Sequence, residues 1–260
     1  MIKHIFCDLD GTLYHGGIDD KDVKAIHKIE ENGVRFNVAT GRVFVQANNM
    51  TKHKLVINGY YICENGSYIY DKDHNIVFKG TIDDKIVKKV INRFESDNAH
   101  LYFKYKGKIV VLDNIEDTSG YSKEYIIDKS FLSRDSFDNE IGNIGVRSDN
   151  IEELERIELY LKSEFNEILD IYFSSEYTLN IVPKGVSKRN AIEHTCKILG
   201  ISLDEIATIG DSPNDINMLE GIKYSFAMSN ARESVKSSAN YIATSVKDAI
   251  EKINKINGVE

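Results

Sequence analysis

Hydrophobic and polar positions set two rhythms along this chain. Ile2 to Cys7 is short, apolar and β-prone, and predicts a buried strand. A glycine-containing loop follows. From Asp19 to Asn32 the apolar residues Val23, Ile26 and Ile29 recur at helical spacing, with Gly33 after them as a stop. Val34 to Ala39 predicts a second strand, a second helix begins at about Val43, and Leu55 to Asn58 is a candidate third strand. Strand, helix and strand at this spacing make a βαβ unit, which implies a parallel sheet. Tyr60 to Glu64 and Ser67 to Tyr70 then flank Asn65-Gly66, a strong hairpin signal.

The rhythm changes in the middle third. Between about Thr81 and Val182 the pattern predicts a helix, two strands, an unassigned stretch, a strand, a second helix and two strands. The second helix, Asn150 to Ser163, carries Ile151, Leu154, Ile157 and Leu161 along one face. His100 to Tyr105 with Lys108 to Leu112, and Ile168 to Ser174 with Tyr177 to Val182, are expected as antiparallel hairpins. After Pro183 the βα rhythm returns. Ser187 to Leu199 predicts a helix with Ala191, Ile192, Thr195 and Leu199 on one face, followed by a strand at Glu205 to Ile209, a short helix at Asn214 to Leu219 and a strand at Tyr224 to Ala227. The expectation is an α/β domain, residues 1–80 plus 183–260, split by an α+β domain, residues 81–182.

Composition adds exclusions. The chain has 260 residues, of which 42% are hydrophobic and 28% charged, enough for a sizeable core in one or two soluble domains. Its net charge of −8 does not suit non-specific nucleic-acid binding, which relies on Lys and Arg neutralising phosphates. Cys7, Cys63 and Cys196 are odd in number and widely spaced, so neither a disulfide framework nor a zinc site follows, and reduced thiols in the cytoplasm are expected. The opening apolar run is too short and too soon interrupted by charge for a signal peptide, and no membrane span is expected.

Four βα junctions carry candidate chemistry. Asp8-Leu9-Asp10-Gly11-Thr12 ends the first strand, at the sheet edge where ligands of parallel sheets bind. Crowded carboxylates repel, and a hard cation such as Mg²⁺ relieves them. Thr40-Gly41-Arg42 offers a hydroxyl and glycine-exposed amides. Lys188 stands in the first turn of its helix, where a cation works against the helix dipole. Gly210-Asp211-Ser212-Pro213-Asn214-Asp215 follows another strand. Each alone has a plain structural explanation: a polar strand end, an N-cap, a surface lysine, a capped turn. Together and in this order they supply what phosphoryl transfer needs: a nucleophile, a metal site, a cation and hydrogen-bond donors.

In these residues the chain resembles the haloacid dehalogenase superfamily. Asp8 to Thr12, Thr40 to Arg42, Lys188 and Gly210 to Asp215 resemble its four ordered motifs. Lys184-Gly-Val-Ser-Lys188 and the Glu64-Asn65-Gly66 loop look like its Cof-type branch, in which a large α+β cap is inserted between the second and third motifs. The resemblance implies a Rossmann-like parallel-sheet core and a phosphatase in which Asp8 attacks phosphorus. Asp10 would protonate the leaving alcohol and later deprotonate water. It implies Mg²⁺ held by Asp8, the backbone carbonyl of Asp10 and Asp211. Phosphate would be held by Thr40, Lys188, Asn214 and the amides of Leu9 and Gly41, with Asp215 in support. Two departures stand out: Ser229 where glycine is usual, and Tyr14-His15-Gly16 after the first motif.

Other readings are weaker. Cys7 adjoins Asp8 but no histidine motif accompanies it, His15 reads as a surface residue, the tyrosines of the middle third as strand packing, and Asp83 to Arg93 as a solvated helix face. The expected function is hydrolysis of a small phosphorylated metabolite by a monomer. The alternatives are phosphomutase or phosphotransfer chemistry and a non-catalytic phosphate-binding protein. A receiver-like domain would be shorter and would not need the insertion.

Overall fold

The computed structural model describes residues 1–94, 96, 98–113 and 125–259. Its contacts divide the chain into two units, Met1–Phe78 with Ser187–Glu260, and Lys79–Val186.

The first unit opens with β1 (His4–Cys7), α1 (Asp20–Glu31), β2 (Arg35–Ala39), α2 (Phe44–Thr51), β3 (Tyr61–Cys63), β4 (Tyr68–Tyr70) and β5 (Ile76–Lys79). The inserted unit contains α3 (Asp84–Arg93), β6 (His100–Tyr105), β7 (Lys108–Val111), β8 (Tyr125–Ile127), β9 (Ile141–Arg147), α4 (Ile151–Phe165), β10 (Leu169–Ser175) and β11 (Thr178–Pro183). The chain then completes the first unit with α5 (Lys188–Leu199), β12 (Ile206–Gly210), α6 (Ile216–Leu219), β13 (Ser225–Met228), α7 (Glu233–Lys236), β14 (Tyr241–Ala243) and α8 (Val246–Asn257).

In the first unit eight strands lie in the order β14-β13-β12-β1-β2-β3-β4-β5. Pairing is parallel from β14 to β3 and antiparallel at the β3–β4 hairpin. β1 is central, and its four residues are all buried. Ile5 and Cys7 face one core with Ile26 and Ile29 of α1 and Val246, Ile250 and Ile253 of α8. Phe6 faces the other core, with Ala191 and Ile192 of α5 and Met218 and Leu219 of α6. Burial on both faces explains why these strands read as continuous apolar runs.

The inserted unit is a six-stranded sheet, β10-β11-β9-β6-β7-β8, backed by helices. Val87 and Val90 of α3 and Leu154, Ile157, Leu161 and Phe165 of α4 share a core with Phe103, Ile144 and Ile181. Ile151, expected on that buried face, is exposed because it occupies the first turn of α4. Of the unassigned stretch, 114–124 lies outside the described residues, and β8 follows it.

Leu55 to Asn58 is not a strand. Leu55 and Ile57 are buried and Val56 is exposed, so the alternation is real. The place beside β2 is instead taken by Tyr61–Cys63. Among the described residues no helix is long and apolar enough to cross a membrane.

Candidate active site

The parallel order places the carboxyl ends of β1, β2 and β12 side by side. Cys7 pairs with Val38 on one side and Ile209 on the other, and the Asp8 N–H donates to the Ile209 carbonyl at 2.9 Å. Asp8 is therefore held at the last rung of the ladder, 4% exposed. Beyond it the chain turns sharply. The Leu9 carbonyl accepts from the N–H groups of Thr12, Leu13 and Tyr14, and Gly11 takes φ 83°. A Cβ at Gly11 would lie 2.4 Å from Asp211 Oδ2, so only glycine lets this turn approach the second acidic loop.

Lys188 joins that loop to the end of β1. Ser187 caps α5 by accepting from the Asn190 N–H, which sets Lys188 as the first helical residue with its side chain turned inward. Its Nζ donates to Asp8 Oδ1 and to Asp215 Oδ1, each at 2.6 Å, and its side chain is fully buried. Asp215 is fixed from its other oxygen, where Oδ2 accepts from the N–H groups of Asp211 at 3.0 Å and Ser212 at 2.9 Å. This capping box, beside Pro213, holds the loop after β12 rigid. Thr12 Oγ1 donates to Asp211 Oδ1 at 2.6 Å, and Ser212 Oγ donates to Oδ2 at 3.2 Å.

Asp8, Asp211 and Asp215 each offer an oxygen within 4.8 Å of the others. Three carboxylates thus crowd together, and two of them share one ammonium. Burial pushes the Asp8 carboxyl well above the usual carboxylate range, against the pull of Lys188 and with the push of Asp215. Burial raises Asp211 as well. Lys188 is disfavoured by burial, but Asp215 and Asp8 outweigh this and hold it firmly protonated. The surplus negative charge and the all-oxygen donor set suit a divalent hard cation between Asp8 and Asp211. Asp215 already spends both oxygens on Lys188 and the loop amides.

Asp10 points elsewhere. Its carboxylate accepts two hydrogen bonds from Arg42, from Nε at 2.9 Å and from NH2 at 2.8 Å. Thr40 is wholly buried at the end of β2, its Oγ1 accepting from the Arg42 N–H at 3.1 Å. Gly41 follows, with Asn65 Oδ1 3.1 Å from where its Cβ would stand. Asn214 Nδ2 donates to that same Asn65 Oδ1 at 3.1 Å. The structure thus brings together Asp8, Lys188, Asp211 and Asp215 and places Thr40, Gly41 and Asn214 around Asn65. The Arg42 clamp and the Thr12–Asp211 bond escape sequence reasoning, although both residues lie inside the quoted motifs. His15 is exposed and its Nε2 lies 3.1 Å from the Thr12 carbonyl.

Residues 5–253 match the family described as haloacid dehalogenase-like hydrolase. The chain belongs to this family. Among relatives of this hydrolase, 5-amino-6-(5-phospho-D-ribitylamino)uracil phosphatase YcsE of Bacillus subtilis is 28% identical over 254 residues, covering 96% of this chain and 94% of that one. Phosphatase YwpJ of Bacillus subtilis is 26% identical, with coverage of 99% and 97%. A haloacid dehalogenase-like hydrolase structure from B. subtilis superposes over 100% of both chains with a TM-score of 0.84 at 24% identity, a likeness of fold.

Proposed function

We propose that this hydrolase is a Mg²⁺-dependent phosphatase that releases phosphate from a small phosphorylated metabolite through a phosphoaspartate on Asp8. The observation that carries this reading is the convergence of buried Asp8, Lys188 and Asp215 with half-buried Asp211 at the carboxyl edge of the central strands.

Asp8 attacks phosphorus, forming a bond from its carboxylate oxygen as the bond to the leaving alkoxide breaks. Asp10 donates the proton that the alkoxide takes up. In the second step water attacks the same phosphorus, Asp10 accepts its proton, and the bond to Asp8 breaks. For this, Asp10 leaves Arg42 and takes up a proton from solvent before it meets the substrate oxygen; the proton that it later accepts from water returns to solvent as the carboxylate rejoins Arg42. Lys188 and the amides of Leu9 and Gly41 offset charge on the phosphoryl oxygens, with Thr40 and Asn214 as further donors. Asp8, the Asp10 carbonyl and Asp211 would hold Mg²⁺, whose charge offsets that of the phosphoryl oxygens and of the crowded carboxylates. Asp215 keeps Lys188 aimed at Asp8. The proposed chemistry needs no residue from a second chain, which is compatible with a monomer, and reduced Cys7, Cys63 and Cys196 fit the cytoplasm.

The test is phosphate release from a panel of sugar phosphates, nucleotides and phosphorylated cofactors with Mg²⁺. The ribityl phosphate that names the B. subtilis relative belongs on the panel. Wild type is expected to release phosphate and Asp8→Asn to fold but remain silent. Asp8→Asn turning over near the wild-type rate would sink the phosphoaspartate. Phosphate appearing on an added alcohol rather than in solution would reassign the enzyme to phosphotransfer.

A further inference from the structure

The Glu64-Asn65-Gly66 turn reaches three of the four active-site loops. Its backbone is left-handed throughout, with φ 55° at Glu64, 58° at Asn65 and 111° at Gly66. Such a run is costly for residues with a Cβ and persists only where its surroundings fix it. Here they do. The Glu64 N–H donates to the Arg42 carbonyl at 2.9 Å, and the Asn65 N–H donates to the Thr40 carbonyl at 3.0 Å. Gly66 sits so close to the helix carrying Lys188 that a Cβ would stand 2.3 Å from the Ser187 carbonyl. The Asn65 side chain, 4% exposed, completes the set: its Oδ1 accepts from Asn214 Nδ2 and abuts Gly41.

We infer that Asn65 is a positioning residue whose side-chain carbonyl fixes the amide of Asn214, so that the second Nδ2 hydrogen is presented to the phosphoryl group. The inference rests on the phosphatase reading above, in which Asn214 is a phosphate donor. Asn214 stands in a short 3₁₀ turn (Pro213–Asp215) and is half-buried, so its own backbone leaves the carboxamide free to rotate. An acceptor on one hydrogen removes that freedom. The residue that supplies it is tied through its backbone to Thr40, so two phosphate-contacting loops are locked in one register. Preorganised donors of this kind cost no reorganisation when charge develops.

The left-handed backbone supplies a clean variant. Asn65→Gly deletes the side chain while keeping a residue that accepts φ 58°. It is expected to melt within a few degrees of wild type, lower kcat/KM about tenfold and raise the inhibition constant of inorganic phosphate by a similar factor, the scale of coupling between hydrogen-bonded neighbours. In an Asn214→Ala background the same change is expected to cost nothing further. An equal loss in both backgrounds, or no loss in wild type, overturns the inference. A second readout does not need turnover: the Asn214 side-chain ¹⁵N–¹H₂ resonance, identified by its disappearance in Asn214→Ala. It is expected to move to the position of an unbonded amide in Asn65→Gly and to keep a hydrogen-bonded, downfield position in Asn65→Asp, whose carboxylate is a stronger acceptor. An unchanged resonance in Asn65→Gly overturns the proposal even in a protein with no activity. Wild type that neither releases phosphate nor is inhibited by it counts against the phosphatase reading instead, and the resonance then decides the role of Asn65.

Discussion

At the scale of single residues the site is governed by one buried ammonium. Lys188 partners two carboxylates, and its side chain has no exposure to share the load with water. Replacing it by methionine keeps most of the volume but leaves Asp8 and Asp215 buried without their cation. The expected cost is about 3–5 kcal/mol, read as a lower midpoint of urea unfolding, together with loss of turnover. The thiols obey the same desolvation rule. Burial pushes Cys7 far up, with Asp8 and its acidic neighbours adding to it, and pushes Cys196 up to about 11. Both stay protonated at pH 8, and all three cysteines are buried. Ellman's reagent is expected to label native protein over hours and denatured protein at once. Labelling of native protein within seconds would contradict the buried placement. Much of this chemistry is legible in the sequence, because Asp8, Lys188, Asp211 and Asp215 stand at strand ends and a helix start, positions that periodicity locates. The Arg42–Asp10 clamp is not legible, because spacing says nothing about which way a side chain turns. Asn65 reads from sequence as a hairpin residue in a loop that resembles the Cof-type branch, but not as a partner of Asn214, since its contacts come from loops far away in the chain.

At the scale of elements, turns do the positioning. Gly66→Ala places a methyl against the Ser187 carbonyl at a backbone angle that alanine rarely adopts. It is expected to cost about 1–3 kcal/mol and to shift α5, so that activity falls along with the unfolding midpoint. In the inserted unit, Asp84 has a comparable role. It opens α3 and accepts from Ser136 Oγ at 2.7 Å and from the N–H groups of Phe137 at 2.8 Å and Asn139 at 3.0 Å. Burial alone would raise its pKa, but these bonds outweigh burial and lower it. A lowered folded-state pKa means that the stabilisation is complete above the ordinary aspartate value near 4 and is lost as pH falls through the lowered one. Asp84→Ala is therefore expected to lower stability by about 1–2 kcal/mol at pH 7 and by progressively less in acid, as denaturant titrations at several pH values would show. An effect that grows in acid would reverse the argument. The major helices are legible from their stripes. The edge strand β14 is not, because Tyr241-Ile242-Ala243 is only three residues long and leaves Tyr241 and Ile242 exposed, too short a run to show a period. Leu55 to Asn58 misleads for the opposite reason: its alternation matches burial, yet the ladder is occupied by the next segment.

Across the whole molecule, ligand binding and folding are linked. The three crowded carboxylates are an unfavourable arrangement that a divalent cation relieves, so the folded state should bind Mg²⁺ and the unfolded chain should not. At a hundredfold excess over its dissociation constant the gain is about 2.7 kcal/mol, which predicts a clear rise in melting temperature on adding Mg²⁺ and its reversal by EDTA. Asp211→Asn is expected to remove most of that rise. An unchanged melting temperature in wild type would argue that the acidic cluster is not a cation site. The periodicity changes twice along the chain, and the contacts divide it into Met1–Phe78 with Ser187–Glu260 and Lys79–Val186. What the sequence withholds is which strands become neighbours: β1 pairs with β2 next to it and with β12 after the insertion.

That last pairing has a consequence for how the protein is made. Lys188 leaves the ribosome 180 residues after Asp8. At cellular translation speeds this gap lasts on the order of ten seconds or more. During it the whole inserted unit has been synthesised, while β1 still lacks its second neighbour and one flank of the nascent sheet is open. The excursion therefore gives the middle unit a head start in folding, and it leaves the first unit dependent on protection while it waits. A transcript cut short anywhere within that interval yields chains that carry Asp8 without its lysine. Such fragments expose a raw sheet edge to chaperones and proteases and carry an incomplete reaction centre.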